Sequence, residues 1–383
     1  MSKYKSRSPK QKNTRRKKRL MNVVKIASFG LAAVLAVALG LGFAMYNDLN
    51  KSVQSEEYTE YLNKERTVDV EDPLAGRALN YVLIGSDSRA GGNSALGGGA
   101  EEDGQRSDTT IIAHVAEDRS RVDLISIPRD SIVNIPSCKL SNGNSTSPMY
   151  NAQFNWAFSQ GDNLPSAVAC TINTIEENAG IYIDGYVVVD FVGFEKMVDS
   201  LGGIKFNVPE DMVSKKADLD VKAGQQTLNG HDALAYARAR TFEVGSGNGS
   251  DIQRIERQQE LLGAFAKQLL STDTLTNPQK VYDVTESVLQ STTVSPELGN
   301  TGKIASFAYS LRNLDTEDIN FYTIPNEPWS QDANRVIWTY EAENYWAALN
   351  NDSPINEEDE TTVEENAQDD TMENTDEQSD FVG

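Results

Sequence analysis

Residues 79–89 read LNYVLIGSDSR. Leu79 to Gly85 is a short apolar run that stops at a glycine, which is how a buried strand reads. Asp87 and Arg89 follow at once. Two runs of the same kind lie downstream, TTIIAHV (109–115) and RVDLISI (121–127). Charge stands at their ends as well: Arg106 and Asp108 before the first, Arg129 and Asp130 after the second. The stretch between, Ser86 to Arg106, is polar with six glycines and reads as a loop.

Beyond these runs the pattern turns mixed. Residues 181–190 and 319–324 read as strands, and 137–149 as a loop. Residues 153–158, 165–178, 191–200, 232–237 and 341–349 read as helices, the third stopped by Gly202-Gly203. Residues 252–270 carry Ile252, Ile255, Leu262, Phe265 and Leu269 at helical spacing, a long amphipathic helix. Strands and helices interleaved in this way predict an α/β fold with one central sheet sandwiched by helices. No composition break divides residues 78–350, so one large domain is expected there.

The chain has 383 residues and a formal net charge of −22. Such acidity argues against general nucleic-acid binding, which needs neutralised phosphates. The average conceals a split. Residues 1–21 hold ten basic residues and no acid, whereas 351–383 hold thirteen acids and no base. The first reads as a cytoplasmic basic tail, the second as disordered chain that cannot bury a core. Between tail and domain, residues 26–46 read IASFGLAAVLAVALGLGFAMY. A helix of this length spans roughly 30 Å, so residues 22–46 are expected to be one transmembrane anchor. Basic residues before it place the N-terminus in the cytoplasm and the domain outside, in the cell membrane but extracytoplasmic. A cleaved signal peptide is the competing reading. Residues 47–77 read as a stalk. Cys138 and Cys170 both follow the span, and an even pair in an oxidising compartment is expected to be a disulfide.

A second charged cluster follows the first. Arg238 and Arg240 are two apart, so in an extended segment they share a face. Asp251, Arg254 and Gln258 fall within about 60° of one another on one helix. Arginine matches phosphate oxygens through paired hydrogen bonds, and carboxylates hold Mg²⁺ that bridges them. The combination points to a phosphate or pyrophosphate site; scattered surface ion pairs are the plain alternative. The glycine-rich loop lacks the Gly-Lys-Ser/Thr ending of a P-loop, and no Gly-x-Ser-x-Gly elbow is present. His114 reads as a packed residue. His231 reads as a helix cap. Trp329 and Trp338 read as core, with sugar stacking the alternative.

Five blocks carry a resemblance to the LytR–CpsA–Psr family: NYVLIGSDSR (80–89), RSDTTIIAHV (106–115), ISIPRDSIVNIP (125–136), LNGHDALAYARAR (228–240) and DIQRIERQQE (251–260). They stand in the family's order. The resemblance implies a mixed α-β-α sandwich and a membrane-anchored phosphotransferase of the bacterial envelope. Such an enzyme moves a glycopolymer from a polyprenyl-pyrophosphate carrier onto peptidoglycan by forming a phosphodiester. By resemblance, Asp87 and Asp108 hold Mg²⁺ (or Mn²⁺). Arg129, Arg238 and Arg240 hold the pyrophosphate and act in catalysis, with further contacts from Arg106, Arg254 and Gln258. Arg89 and Asp251 support them. The polyprenyl tail would lie in an apolar pocket, with 191–201 and 252–270 as its walls. The cysteine pair resembles actinobacterial members. A protein acceptor, a water acceptor, or a polyprenyl-phosphate-binding regulator without turnover are the competing functions. The long loops 86–106 and 241–250 depart from the family without removing a motif residue.

Overall fold

The computed structural model describes residues 46–65, 76–86, 107–247 and 250–355. Seven strands form its central sheet: β1 (Gln54–Ser55), β2 (Leu79–Ser86), β3 (Ser107–Val115), β4 (Val122–Ile127), β5 (Gly185–Asp190), β6 (Thr292–Val294) and β7 (Ile319–Thr323). Their order across the sheet is β1-β6-β5-β2-β3-β4-β7. β2, β3 and β4 form an antiparallel meander, while β5 runs parallel to β2 and β7 parallel to β4. The sheet is therefore mixed.

Period-two alternation builds two cores from these strands. Val82, Ile84, Ile112, Ile125, Ile127, Tyr186 and Val188 point to one face. There they meet α1 (Leu164–Ala179) and the C-terminal helix. Leu79, Tyr81, Ala113, Val115 and Val122 point to the other, against Ile304 and Phe307. Helices thus cover both faces, as the sequence predicts. A third core gathers α2 (Phe191–Ser200), the hairpin of Ile204–Val208 with Gly224–Leu228, α3 (Gly230–Arg238) and the second half of α4 (Asp251–Leu269), through Leu261, Ala264 and Phe265. Gly230 opens α3 against α2 so closely that a Cβ there would sit 2.3 Å from the Glu195 carbonyl oxygen. That approach needs glycine.

After α4 come α5 (Pro278–Ser291), α6 (Thr301–Ser310) and α7 (Ala342–Asn351). Asp352 caps α7 in the left-handed region with φ 49°. Its carboxylate accepts from Arg121 Nη2 at 3.3 Å and from the Glu117 N–H at 2.9 Å, and pairs with His114 Nε2 at 3.0 Å. His114 is fully buried, and its Nδ1 faces Asn80 Oδ1 at 2.7 Å. This latch ties α7 to the sheet at the end away from Asp108. Cys138 and Cys170, both buried, form a disulfide between a loop and α1.

Several expectations need correction. The stalk reading fails for residues 54–62. β1 pairs with β6 at the sheet edge, and buried Tyr58 meets Tyr186 edge-to-face at 5.1 Å. The stretch 153–158 is not one helix: Met149–Gln153 pairs with Ile132–Ile135, and only Trp156–Ser159 is helical. The strand expected from 181 starts at Gly185. Asn229, not His231, caps α3, accepting from the Asp232 N–H at 2.8 Å. Residues 22–45, nearly all of the expected anchor, lie outside the described residues, as does most of the acidic tail. Among the described residues no helix is long and apolar enough to cross a membrane.

Candidate active site

The meander brings its charged ends to one edge. Ser86 at the end of β2 stands opposite Ser107 on β3 and beside Asp190 on β5. Ile127 at the end of β4 stands opposite Thr110 of β3. Asp108 and Arg129 therefore meet: Arg129 Nη1 donates to Asp108 Oδ1 at 2.5 Å. Asn155 fixes the main chain here, its N–H donating to the Arg129 carbonyl at 3.1 Å.

α4 delivers the other half. Ser250 caps it through the Gln253 N–H, which sets the first turn against the sheet end. Arg254 Nη2 donates to the Asp108 carbonyl at 2.9 Å and forms an ion pair with Asp251 Oδ1 at 2.6 Å. Thr109 Oγ1 donates to Gln258 Oε1 at 3.1 Å. Gln258 Nε2 in turn donates to the Ala237 carbonyl at 3.2 Å, and Arg257 donates to the Ala239 carbonyl. α4 thereby holds the main chain on both sides of Arg238.

Arg238 and Arg240 come from where α3 ends. Ala239 turns extended (φ −60°, ψ 131°), and Arg240 Nη2 then reaches Asp251 Oδ1 at 2.8 Å. Arg238 is still in the last helical turn, so the shared extended face expected of the pair is replaced by two separate contacts. Its guanidinium lies over the Phe191 ring, 4.5 Å from the centroid. Phe191 opens α2, so the stacking ties the α2 start to the arginine segment.

Three arginines and three aspartates thus share one partly buried sheet end, with Arg254 the most deeply buried. Burial alone would lower Arg129, but the charges of Asp108, Asp130 and Asp251 outweigh it and raise it. Burial lowers Arg240, and the nearby Arg129 charge adds to that. Burial takes Arg254 down to about 10, against the pull of Asp251. Burial also pushes the Asp251 carboxyl up, opposed by Arg254 and Arg129. Several polar atoms are left over. Arg129 Nε, Arg254 Nε and Asp251 Oδ2 are buried without a hydrogen-bond partner. Buried donors left unmatched are costly, so a site that keeps two guanidinium N–H groups unpaired is set for an anion.

The structure joins Asp108, Arg129, Arg240, Asp251, Arg254 and Gln258 in one cluster and puts Arg238 on its α2 side. Asp87, Arg89 and Arg106 lie outside the described residues. Sequence reasoning left out Thr109, Gln153, Phe191 and Arg335. Gln153 Nε2 donates to Asp130 Oδ1 at 2.6 Å, and Arg335 Nη1 stands 3.6 Å from the same atom. Asp130 carried a signal, its place beside Arg129; Gln153 and Arg335 carried none. A cavity of about 320 Å³ opens at Ser86 and Asp190, lined by Val188, Val192 and Lys196 and by the end of α5. Val192 and Lys196 reach it from α2.

A cluster of arginines and aspartates at the end of a mixed, helix-covered sheet marks this as an α/β protein with its charged site at the strand ends. The chain belongs to the LytR_cpsA_psr family, which it matches over residues 43–353. It is 31% identical to the probable cell wall biosynthesis protein LcpB of Corynebacterium glutamicum over 74% of this chain and 61% of that protein. It spans, then, less than two thirds of that relative's length. It is 26% identical to the polyisoprenyl-teichoic acid–peptidoglycan teichoic acid transferase TagT of Bacillus subtilis, over 82% of this chain and 90% of that protein. Among solved structures, a LytR-Csp2A-Psr enzyme from Actinomyces oris superposes with a TM-score of 0.56 at 18% identity. The match covers 78% of this chain and 95% of that one. That likeness is one of fold.

Proposed function

We propose that this protein is a membrane-anchored phosphotransferase. It moves a glycopolymer from a polyprenyl-pyrophosphate carrier onto a muramic acid hydroxyl of peptidoglycan, outside the cell. The observation that carries this reading is the pair of buried, unpartnered N–H groups of Arg129 and Arg254 beside Asp108 and Asp251. The relative TagT, by name a teichoic acid transferase to peptidoglycan, supports the substrate class. The apolar run 26–46 behind a basic tail supports the anchor.

The acceptor oxygen forms a bond to the phosphorus that bears the glycopolymer. The bond from that phosphorus to the bridging oxygen breaks, and polyprenyl phosphate leaves. Arg129, Arg240 and Arg254 donate to the phosphate oxygens as charge moves to the leaving group, so catalysis is positioning plus electrostatic stabilisation. Asp251 holds Arg240 and Arg254 in place through one oxygen. The acceptor's proton goes to a carboxylate, for which the raised Asp251, with its second oxygen unpartnered, is suited. Asp108 fits a Mg²⁺ (or Mn²⁺) site: it offers hard carboxylate oxygens, only one of them engaged by Arg129. Mg²⁺ so held, with Asp87 as the second carboxylate, would neutralise the pyrophosphate.

The test incubates the full chain in detergent or nanodiscs with Mg²⁺, peptidoglycan and a lipid-linked glycopolymer labelled at the sugar-proximal phosphorus. Label in peptidoglycan with release of polyprenyl phosphate is the expected result. Label only in free phosphorylated polymer means water is the acceptor. Lipid retained without turnover means a binding protein.

A further inference from the structure

Arg335 lies outside every motif in the sequence, and folding alone brings it to the site. It sits on the strand Asp332–Trp338, which pairs with Asn326–Trp329. This hairpin is seated on the residues just after Arg129. The Val336 N–H donates to the Asp130 carbonyl at 3.3 Å, and Trp338 Nε1 donates to Ser131 Oγ at 3.0 Å. Trp338 also packs on Trp346 of α7, with ring centroids 5.3 Å apart. The main chain that carries Arg335 is thus held beside Asp130 by the core.

Asp130 is a threat to Arg129. Its Oδ2 stands 3.5 Å from Arg129 Nε, and Asp251 Oδ1 stands 3.6 Å away on the same nitrogen. Neither makes a hydrogen bond, and Nε stays buried and unpartnered. Each carboxylate is engaged elsewhere. Asp251 Oδ1 takes Arg254 and Arg240. Asp130 Oδ1 takes Gln153 at 2.6 Å and faces Arg335 at 3.6 Å. Arg335 is steadied in turn by Asp332, 3.4 Å from its Nε.

We infer that Arg335 is a positioning residue: by compensating Asp130 it keeps that carboxylate from closing on Arg129 Nε. Without a cation at 335, Arg129 is the cation left beside Asp130, its Nε 3.5 Å from Oδ2. A shift of about 0.6 Å would then turn the 3.5 Å approach into a hydrogen bond. The N–H that would donate to a phosphate oxygen would be lost to the protein itself. The consequence for turnover rests on the phosphotransferase reading; the effect on Arg129 does not.

Two readouts separate the two. The first is the Arg129 Nε–H resonance of the full chain in detergent, assigned with Arg129→Lys. In Arg335→Ala it should move downfield and exchange more slowly with water; in Arg335→Ala/Asp130→Asn it should return to the wild-type position. An unmoved resonance in Arg335→Ala overturns the inference. The second is transfer kinetics. Arg335→Ala should raise KM for the lipid-linked donor about tenfold, and adding Asp130→Asn should restore it. A loss that Asp130→Asn does not restore shows that Arg335 acts by direct contact or by structure, and overturns the inference. A shifted resonance in a protein whose wild type transfers nothing leaves the positioning role standing and removes the proposed activity.

Discussion

The Arg254 guanidinium reaches from the first turn of α4 to the main-chain carbonyl of Asp108 at the start of β3, 2.9 Å away. The same nitrogen holds Asp251 at 2.6 Å. One side chain therefore joins the helix half of the site to the strand half. It is 4% exposed, so its charge is compensated almost wholly by protein.

Arg254→Ala should abolish transfer and cost about 3 kcal/mol of stability, because Asp251 is left buried with less compensation. Arg254→Gln keeps one hydrogen bond to the Asp108 carbonyl and should lose activity with a smaller fall in Tm. Thermal unfolding beside the transfer assay checks both.

Anion affinity should fall as pH rises toward and past about 10, the value to which burial brings Arg254. The sign follows from the charge. Below that pH the guanidinium is a cation and holds phosphate; above it the cation is lost, well short of the ordinary arginine range. Titration of methylenediphosphonate binding from about pH 8 to about pH 10.5, by calorimetry, should show this limb. Arg254→Gln should bind weakly throughout and lack it.

Arg238→Ala and Arg240→Ala should each lower turnover by a factor of about 10²–10³. Their structural costs should differ. Arg240 compensates buried Asp251, so its loss should lower Tm, whereas Arg238 stacks on Phe191 and its loss should cost about 1 kcal/mol. Wild-type turnover by either variant would remove that residue from the site.

The latch at the other sheet end makes a prediction about stability alone. Asp352→Ala leaves buried His114 Nε2 without its carboxylate, while Arg121 keeps Asp123, and should cost about 2 kcal/mol. Deleting residues 356–383, which keeps Asp352, should leave the unfolding midpoint in denaturant unchanged. Transfer activity should follow folding in both variants.

Reduction of the Cys138–Cys170 bridge, or its replacement by two serines, should cost about 3 kcal/mol. The two sulfurs lie in the main core, which does not include Arg129. Below the lowered melting temperature, turnover should therefore be unaffected.

How much is legible in the sequence can be seen residue by residue. The apolar runs 79–85, 109–115 and 121–127 mark three buried strands, and strand geometry then sends alternate side chains to opposite cores. The helix 191–200 reads with the bounds it has, since Asp190 caps it and two glycines end it. The charged residues at strand ends mark the site without any knowledge of the fold. Misreadings come where local signals compete. The polar stretch 47–62 looks like a linker because its strand is two residues long and only Tyr58 and Leu62 are buried.

The chain itself thus determined the three meander strands, the helices at 164–179, 191–200 and 251–269, the charged strand ends and the pairing of two cysteines, because each is written in periodicity or in residue type at short range. Tertiary structure decided what those charges do. Arg129 and Asp251 are far apart in the chain, yet they share a partly buried sheet end because β3 and β4 are antiparallel and α4 bonds to both, through Gln258 to Thr109 and Gln259 to Ser126. Arg335 reaches Asp130 only because a hairpin docks on Ser131 and Trp346. Which arginine N–H groups stay unpaired depends on distances of a few tenths of an ångström between residues from four segments. No spacing along the sequence encodes that, since it is set by how the elements pack.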